Sequence, residues 1–192
     1  MKSSRLILFA TLAIALVFAG CAETAEPLPV LYAVPDVSLI ADDGNPLGTA
    51  DLRGSVVVYS FIFTRCGATC PMMTRAMKKL TTRFDEEAPI RFVSVSVDPA
   101  HDTPEVLRAY AANHREDDRW VFLTGEREDV IGLSIDGFKL AAGEPGQGLE
   151  PILHSTKFIL VDREGQIRAY YDGGDPDELE TLERDAKRLL RE

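Results

Sequence analysis

Cys66 and Cys70 stand four positions apart, followed at once by Pro71 and set between the apolar run Val56 to Phe63 and the amphipathic run Met72 to Phe84. Two thiols at that spacing can share one metal ion or close into a disulfide with each other. A structural disulfide around so short a loop removes little entropy from the unfolded chain, so stability is a poor reason for the pair. Redox chemistry, metal binding or both are left. Pro71 suits the first position of a helix, which would put Cys70 at the N-cap beside the positive end of the helix dipole and favour its thiolate.

Other side chains could join this chemistry. His154 closes a long irregular stretch immediately before a predicted strand, where it reads equally as a ligand or as an ordinary strand-end residue. Met72, Met73 and Met77 all follow the cysteine loop; Met73 and Met77 fall on the apolar stripe of a helix and are expected in the core, which leaves Met72 as the thioether to test. His101 and His114 read as solvated loop and helix-end residues, with His114 where a helix C-terminus favours a cation. Asp98 stands before Pro99, where it could simply end a strand.

The elements that must position these groups follow from periodicity. Val56 to Phe63 is β-branched and aromatic throughout, the composition of a strand buried on both faces, so the cysteine loop leaves the end of a central strand. Met73, Ala76, Met77, Leu80 and Phe84 then form one helical stripe. A second strand spans Ile90 to Val97. Asp102-Thr103-Pro104-Glu105 starts a helix with Val106, Leu107, Tyr110 and Ala111 on its apolar face. Trp120 to Leu123 is a third strand, Glu126 to Leu133 a short helix, and Gly137 to Gly148 opens a glycine-rich loop that runs to His154. Strands at Lys157 to Asp162 and Ile167 to Tyr171 turn at Arg163-Glu164-Gly165, and Asp175 to Leu190 closes the chain as a helix. Upstream, Val37 to Ile40 and Pro46 to Ala50 predict a small hairpin turning at Asp43-Gly44. The order is an α/β pattern with a mixed sheet flanked by helices and an N-terminal β-hairpin.

Residues 1–20 combine Lys2 and Arg5, an apolar stretch from Leu6 to Phe18 and a small-residue ending, a secretory signal. Its end, Phe18-Ala19-Gly20-Cys21, resembles the lipobox of bacterial lipoproteins, which implies that Cys21 is acylated and begins the mature chain. A plain secretory signal or an uncleaved anchor also puts the domain outside the cytoplasm. Residues 21–35 read as the lipidated cysteine and a flexible tether, and 36–192 as one domain. With Cys21 assigned to lipid, Cys66 and Cys70 are the two thiols of that domain, in an oxidising compartment. The net charge of −10 becomes −12 once the two basic residues of the leader are removed, which argues against nucleic acid or an anionic membrane as a partner and fits a soluble surface, a basic protein or a cation.

Phe63-Thr64-Arg65-Cys66 with Cys70-Pro71, Ser96-Val97-Asp98-Pro99 followed by Asp102-Thr103-Pro104-Glu105, and His154-Ser155-Thr156 together resemble the Sco/SenC family of copper-binding assembly factors for cytochrome c oxidase, over about residues 36 to 188. The resemblance implies a thioredoxin-like fold and copper as Cu(I), Cu(II) or both, held by Cys66, Cys70 and His154. It implies Asp98 as a residue beside the site or one that meets a partner. The implied partners are the copper-bearing oxidase subunit or another copper chaperone, and a protein that reduces the thiols. The implied place is the outer face of the bacterial cytoplasmic membrane or the periplasm. Two sulfurs and one imidazole nitrogen suit either copper oxidation state. Arg65 and Gly67-Ala68 depart from the family's usual loop, and a cation beside Cys66 would shift the balance toward redox work. The alternative is a thiol:disulfide oxidoreductase that reduces oxidase cysteines or acts in peroxide defence; the CxxxC spacing and the lack of an adjacent tryptophan favour metal. A copper sensor or redox-stress lipoprotein is a third reading.

Overall fold

A computed structural model describes residues 26–67, 69–140 and 155–192 of the chain. At its centre is β3 (Val56–Ile62), buried along its whole length as a β-branched and aromatic run covered on both faces must be. It lies parallel to β4 (Ile90–Ser96), which is parallel to β5 (Trp120–Thr124). On its other side β3 runs antiparallel to β6 (Lys157–Val161), which forms a hairpin with β7 (Gln166–Asp172). Two short edge strands, β1 (Tyr32–Ala33) and β2 (Ile40–Ala41), pair antiparallel with β7 and β5, giving the order β1-β7-β6-β3-β4-β5-β2.

Helices make the crossovers between parallel strands. α1 (Thr69–Thr81) joins β3 to β4 and buries Met73, Ala76, Met77 and Leu80 against the sheet, the face its 3.6-residue period foretells. α2 (Pro104–Ala111) joins β4 to β5; the Thr103 hydroxyl accepts from the Val106 N–H at 3.4 Å to cap it. α3 (Arg127–Gly132) runs on into a single π turn, Leu133–Gly137. α4 (Pro176–Leu189) starts at Asp175, whose carboxylate accepts from the Asp177 N–H at 2.9 Å, and buries Leu182, Ala186 and Leu189. This is the thioredoxin-like α/β arrangement expected from the motifs.

The N-terminal hairpin forms through backbone bonds from Ala41 to Asn45, Leu47 to Leu39 and Thr49 to Val37 (2.9 to 3.0 Å), with Gly44 at φ 90° in the turn. Its first arm supplies β2; its second ends in a 3-10 turn, Thr49–Leu52.

The stretch before the domain differs from expectation. Residues 21–35 read as the lipidated cysteine and a flexible tether, yet residues 28–34 are docked along the sheet edge. Leu31 and Val34 donate to the carbonyls of Ile167 and Gly165, each at 2.9 Å. The buried Arg168 guanidinium takes the carbonyls of Leu28 (2.5 Å) and Pro29 (3.0 Å) while pairing with Asp162 at 3.0 Å. Backbone groups, which carry no periodic signal, do the holding. Cys21, the leader and His154 lie outside the described residues, as does most of the glycine-rich loop.

Candidate metal and thiol site

The cysteine loop leaves β3 through Phe63, Thr64 and Arg65, and the Cys66 N–H donates back to the Phe63 carbonyl at 3.2 Å. A single carboxylate fixes this exit. Asp102, with no exposed surface, accepts from the Thr64 backbone N–H (3.0 Å), the Thr64 hydroxyl (2.5 Å) and the Ser96 hydroxyl (2.5 Å). His101 Nδ1 lies 2.9 Å from Asp102 Oδ1, the oxygen that takes the Thr64 hydroxyl. Asp102 therefore joins the ends of β3 and β4, and Ser96 in turn accepts from the Asp98 N–H at 3.1 Å.

The two thiols occupy different surroundings. Cys66 is half-buried and Cys70 is buried, they are not joined in a disulfide, and the Cys70 N–H donates to Cys66 Sγ at 3.3 Å. That bond puts the first-turn dipole of α1 on Cys66. The thiolate expected at Cys70 is not favoured, because α1 begins at Thr69 and turns the Cys70 side chain toward the core. Burial pushes its thiol up to about 12, and the nearby Cys66 and Asp102 push the same way, against a backbone bond at Phe63. A helix terminus contributes about 0.3–1 kcal/mol, less than one pKa unit, whereas burial shifts a group by up to about 3–5 units. Burial wins.

Arg65 does not act on Cys66 as a bare cation. Its guanidinium reaches Asp98 Oδ2 at 2.5 Å and 3.2 Å, so its charge is balanced by the carboxylate expected beside the site. Asp98, His101 and Asp102 bring ligand-type atoms within 4.8 Å of one another, but Arg65, Thr64 and Ser96 already hold both carboxylates. His101, expected in solvent, rests against Asp102. His114 stacks on Tyr110 with ring centroids 4.5 Å apart, and partial burial, then Lys78 and Arg75, hold it below the usual imidazole range, contrary to a helix-end cation.

Met72 is half-buried, and its thioether packs beside Gly174 at the start of α4, where an added Cβ would meet Met72 Cε at 3.1 Å. Tyr110 is a neighbour that helical periodicity marks only as part of an apolar face. Its hydroxyl lies 2.8 Å from Thr74 Oγ1, and burial, then the thiols and Asp102, raise its pKa. His154 precedes Ser155, Thr156 and β6, and the antiparallel register of Tyr59 with Ile159 puts the first residue of β6 at the end of the sheet from which the cysteine loop leaves. Thr156 donates to Asp172 at 3.0 Å there.

The SCO1/SenC family model matches residues 31–191. Among solved structures, the chain is similar to a SCO1/SenC family lipoprotein from Bacillus anthracis str. Ames, 39% identical with a TM-score of 0.72 over 82% of this chain and 95% of that one. It is similar to BsSco, described as a member of the Sco family of cytochrome c oxidase assembly proteins with a disulfide switch, at 29% identity and TM-score 0.71 over 86% and 98% of the two chains. It also shares the fold of Bradyrhizobium japonicum ScoI, solved with copper bound, at 21% identity and TM-score 0.66 over 82% and 99%.

Proposed function

The chain belongs to the SCO1/SenC family, and from that premise we propose that it is a copper metallochaperone, carrying one copper ion on Cys66, Cys70 and His154 for the binuclear copper centre of a respiratory cytochrome c oxidase. The observation that carries this reading is the pair of thiols four positions apart, outside any disulfide, with Cys70 N–H on Cys66 Sγ. That donor set fits a soft ion. Two sulfurs suit Cu(I), and an imidazole extends the site to Cu(II). Because Cys70 is held as a thiol, loading at neutral pH releases its proton, so affinity rises with pH.

Anchoring follows the same line. We read Cys21 as the acylated first residue of the mature chain, holding the domain at the outer face of the cytoplasmic membrane or in the periplasm. A partner with a reducing dithiol would keep Cys66 and Cys70 competent, and such partners would meet the exposed Arg65, which buried Asp98 holds in place beside the thiols. A second reading, thiol:disulfide oxidoreductase, is favoured by the unequal thiols: the accessible Cys66 would attack and the sheltered Cys70 would resolve the mixed disulfide.

The deciding experiment is a Cu(II) titration of the reduced protein lacking residues 1–21, followed by sulfur-to-copper charge-transfer absorption and run beside His154→Ala. An intense band saturating at one copper per chain, and lost in the variant, is expected. Full affinity in His154→Ala would refute the three-ligand site, and oxidation of the thiols without a stable band would favour the oxidoreductase.

A further inference from the structure

Most large apolar side chains of the described residues are covered, and three of the four that are exposed lie in succession: Val30 (62% exposed), Leu31 (40%) and Tyr32 (50%). They sit on and just before β1, at the outer edge of the sheet, on backbone that Arg168 clamps in place. Beside them Lys139 Nζ lies 5.6 Å from the Tyr32 ring centroid, and Lys139 makes no ion pair among the described residues. A cavity of about 530 Å³ opens here, lined by Tyr32, Lys139, Leu140, Lys157 and Tyr170, with Ser155 and Thr156 at its margin. Lys157 pairs loosely with Asp172 at 3.5 Å, so Lys139 is the principal cation beside this apolar strip and its aromatic rings, in a chain whose net charge is −10.

The occupant follows from chain length. Leu28, the first residue held by Arg168, is seven positions after Cys21. Fully extended, that stretch spans at most about 25 Å. An acyl anchor at Cys21 therefore keeps this strip within a short reach of the bilayer at all times, and a tether that short raises the effective concentration of the second contact. Aromatic rings and lysines are the side chains that settle at a bilayer interface, and lysines are drawn to anionic headgroups. The acidic remainder of the domain is repelled by the same headgroups, which leaves one orientation.

We propose that Val30, Leu31 and Tyr32, with Lys139 and Lys157, form a membrane-docking face that rests on the anionic bilayer carrying the Cys21 anchor. This rests on the reading of Cys21 as the acylated residue. The face runs along the sheet edge: Tyr32 pairs with Ile167, level with Val57 at the start of β3, while Lys157, opposite Asp172, stands toward the end from which the cysteine loop leaves.

The test uses the full lipidated chain in nanodiscs of phosphatidylcholine with and without phosphatidylglycerol, doped with a headgroup spin label. Intact mass first reports acylation, and its absence overturns the proposal at its premise. Amide relaxation enhancement is then compared between β1 and β2, the opposite edges of the sheet. With phosphatidylglycerol present, the enhancement at Tyr32 and Ala33 is expected to exceed that at Ile40 and Ala41 by at least about threefold. In a Lys139→Glu, Lys157→Glu chain, which keeps the tether, the ratio is expected to fall toward one. An unchanged ratio means that the tether alone sets the position and overturns the proposal. So does coverage of Val30 to Ala33 that follows protein concentration rather than lipid composition, since a second copy would then occupy the strip.

Discussion

Asp102 accepts both the hydroxyl and the backbone N–H of Thr64, at 2.5 Å and 3.0 Å, and so grips the chain two residues before Cys66. Asparagine at 102 has one acceptor oxygen and would turn an amide toward groups that also donate. Asp102→Asn is expected to lower stability by about 3 kcal/mol, the effect of leaving buried donors unmatched. In a domain of this size that is a fall of roughly 6–12 °C in melting temperature. Exposed Glu105→Gln should leave it within a degree or two, and differential scanning calorimetry on the two variants reads both values.

The buried Cys70 thiol gives stability a pH dependence whose sign is fixed. Its ordinary value of 9.0 rises to about 12 in the folded protein, so above pH 9 the unfolded chain loses a proton that the folded chain keeps. Stability is therefore full below pH 9 and declines as pH rises toward 12. Tyr59 and Tyr171 are raised as well and contribute above their ordinary 10.0, which makes pH 9 to 10 the diagnostic interval. Across it the reduced wild type should lose about 1 kcal/mol more than Cys70→Ser, read from urea midpoints.

Unequal burial also separates the thiols kinetically. Iodoacetamide at pH 7.5 should alkylate half-buried Cys66 at least about tenfold faster than Cys70, which must be exposed and deprotonated first. Peptide mass spectrometry over a time course gives both rates; equal rates would mean that the α1 first turn opens readily.

Met72→Leu preserves bulk in the groove beside Gly174 and removes only the sulfur. Copper stoichiometry and affinity are expected to stay within about twofold of wild type, because a packed thioether is a core filler rather than a ligand. A tenfold loss in the same charge-transfer titration would make Met72 part of the site.

Arg168→Met would leave Asp162 buried without its partner and release the carbonyls of Leu28 and Pro29. Breaking such a pair costs about 3–5 kcal/mol. Hydrogen exchange should quicken first at residues 28–34, since their own hydrogen bonds are few and lie at a sheet edge.

What was legible from residue types alone was whatever periodicity records. The buried run of β3, the stripe of α1, and the proline-marked starts of α2 and α4 all stand where hydrophobic spacing and cap chemistry put them. Three features escaped for physical reasons. The docking of residues 28–34 depends on backbone carbonyls and a guanidinium far along the chain. Asp102 reads as part of a helix start because its partners, Thr64 and Ser96, are adjacent only after β3 and β4 pair. The environment of Cys70 was misjudged because a dipole can be placed from sequence, whereas the desolvation that outweighs it depends on a two-residue difference in where α1 begins.

The neighbours of β3 come from distant parts of the chain: β4 starts at Ile90, while β6 starts at Lys157. Loop closure makes the nearer pairing the earlier one in folding, and the β6–β7 hairpin, itself a local unit, docks onto β3 afterwards. On loop length, Cys66 and Cys70 are expected to belong to the segment that assembles first and His154 to precede one that docks later. A partly folded chain thus offers its thiols without the imidazole. Completion of the proposed three-ligand site is then a readout of finished folding, and a metal that requires all three donors is withheld from chains still on their way to the native state.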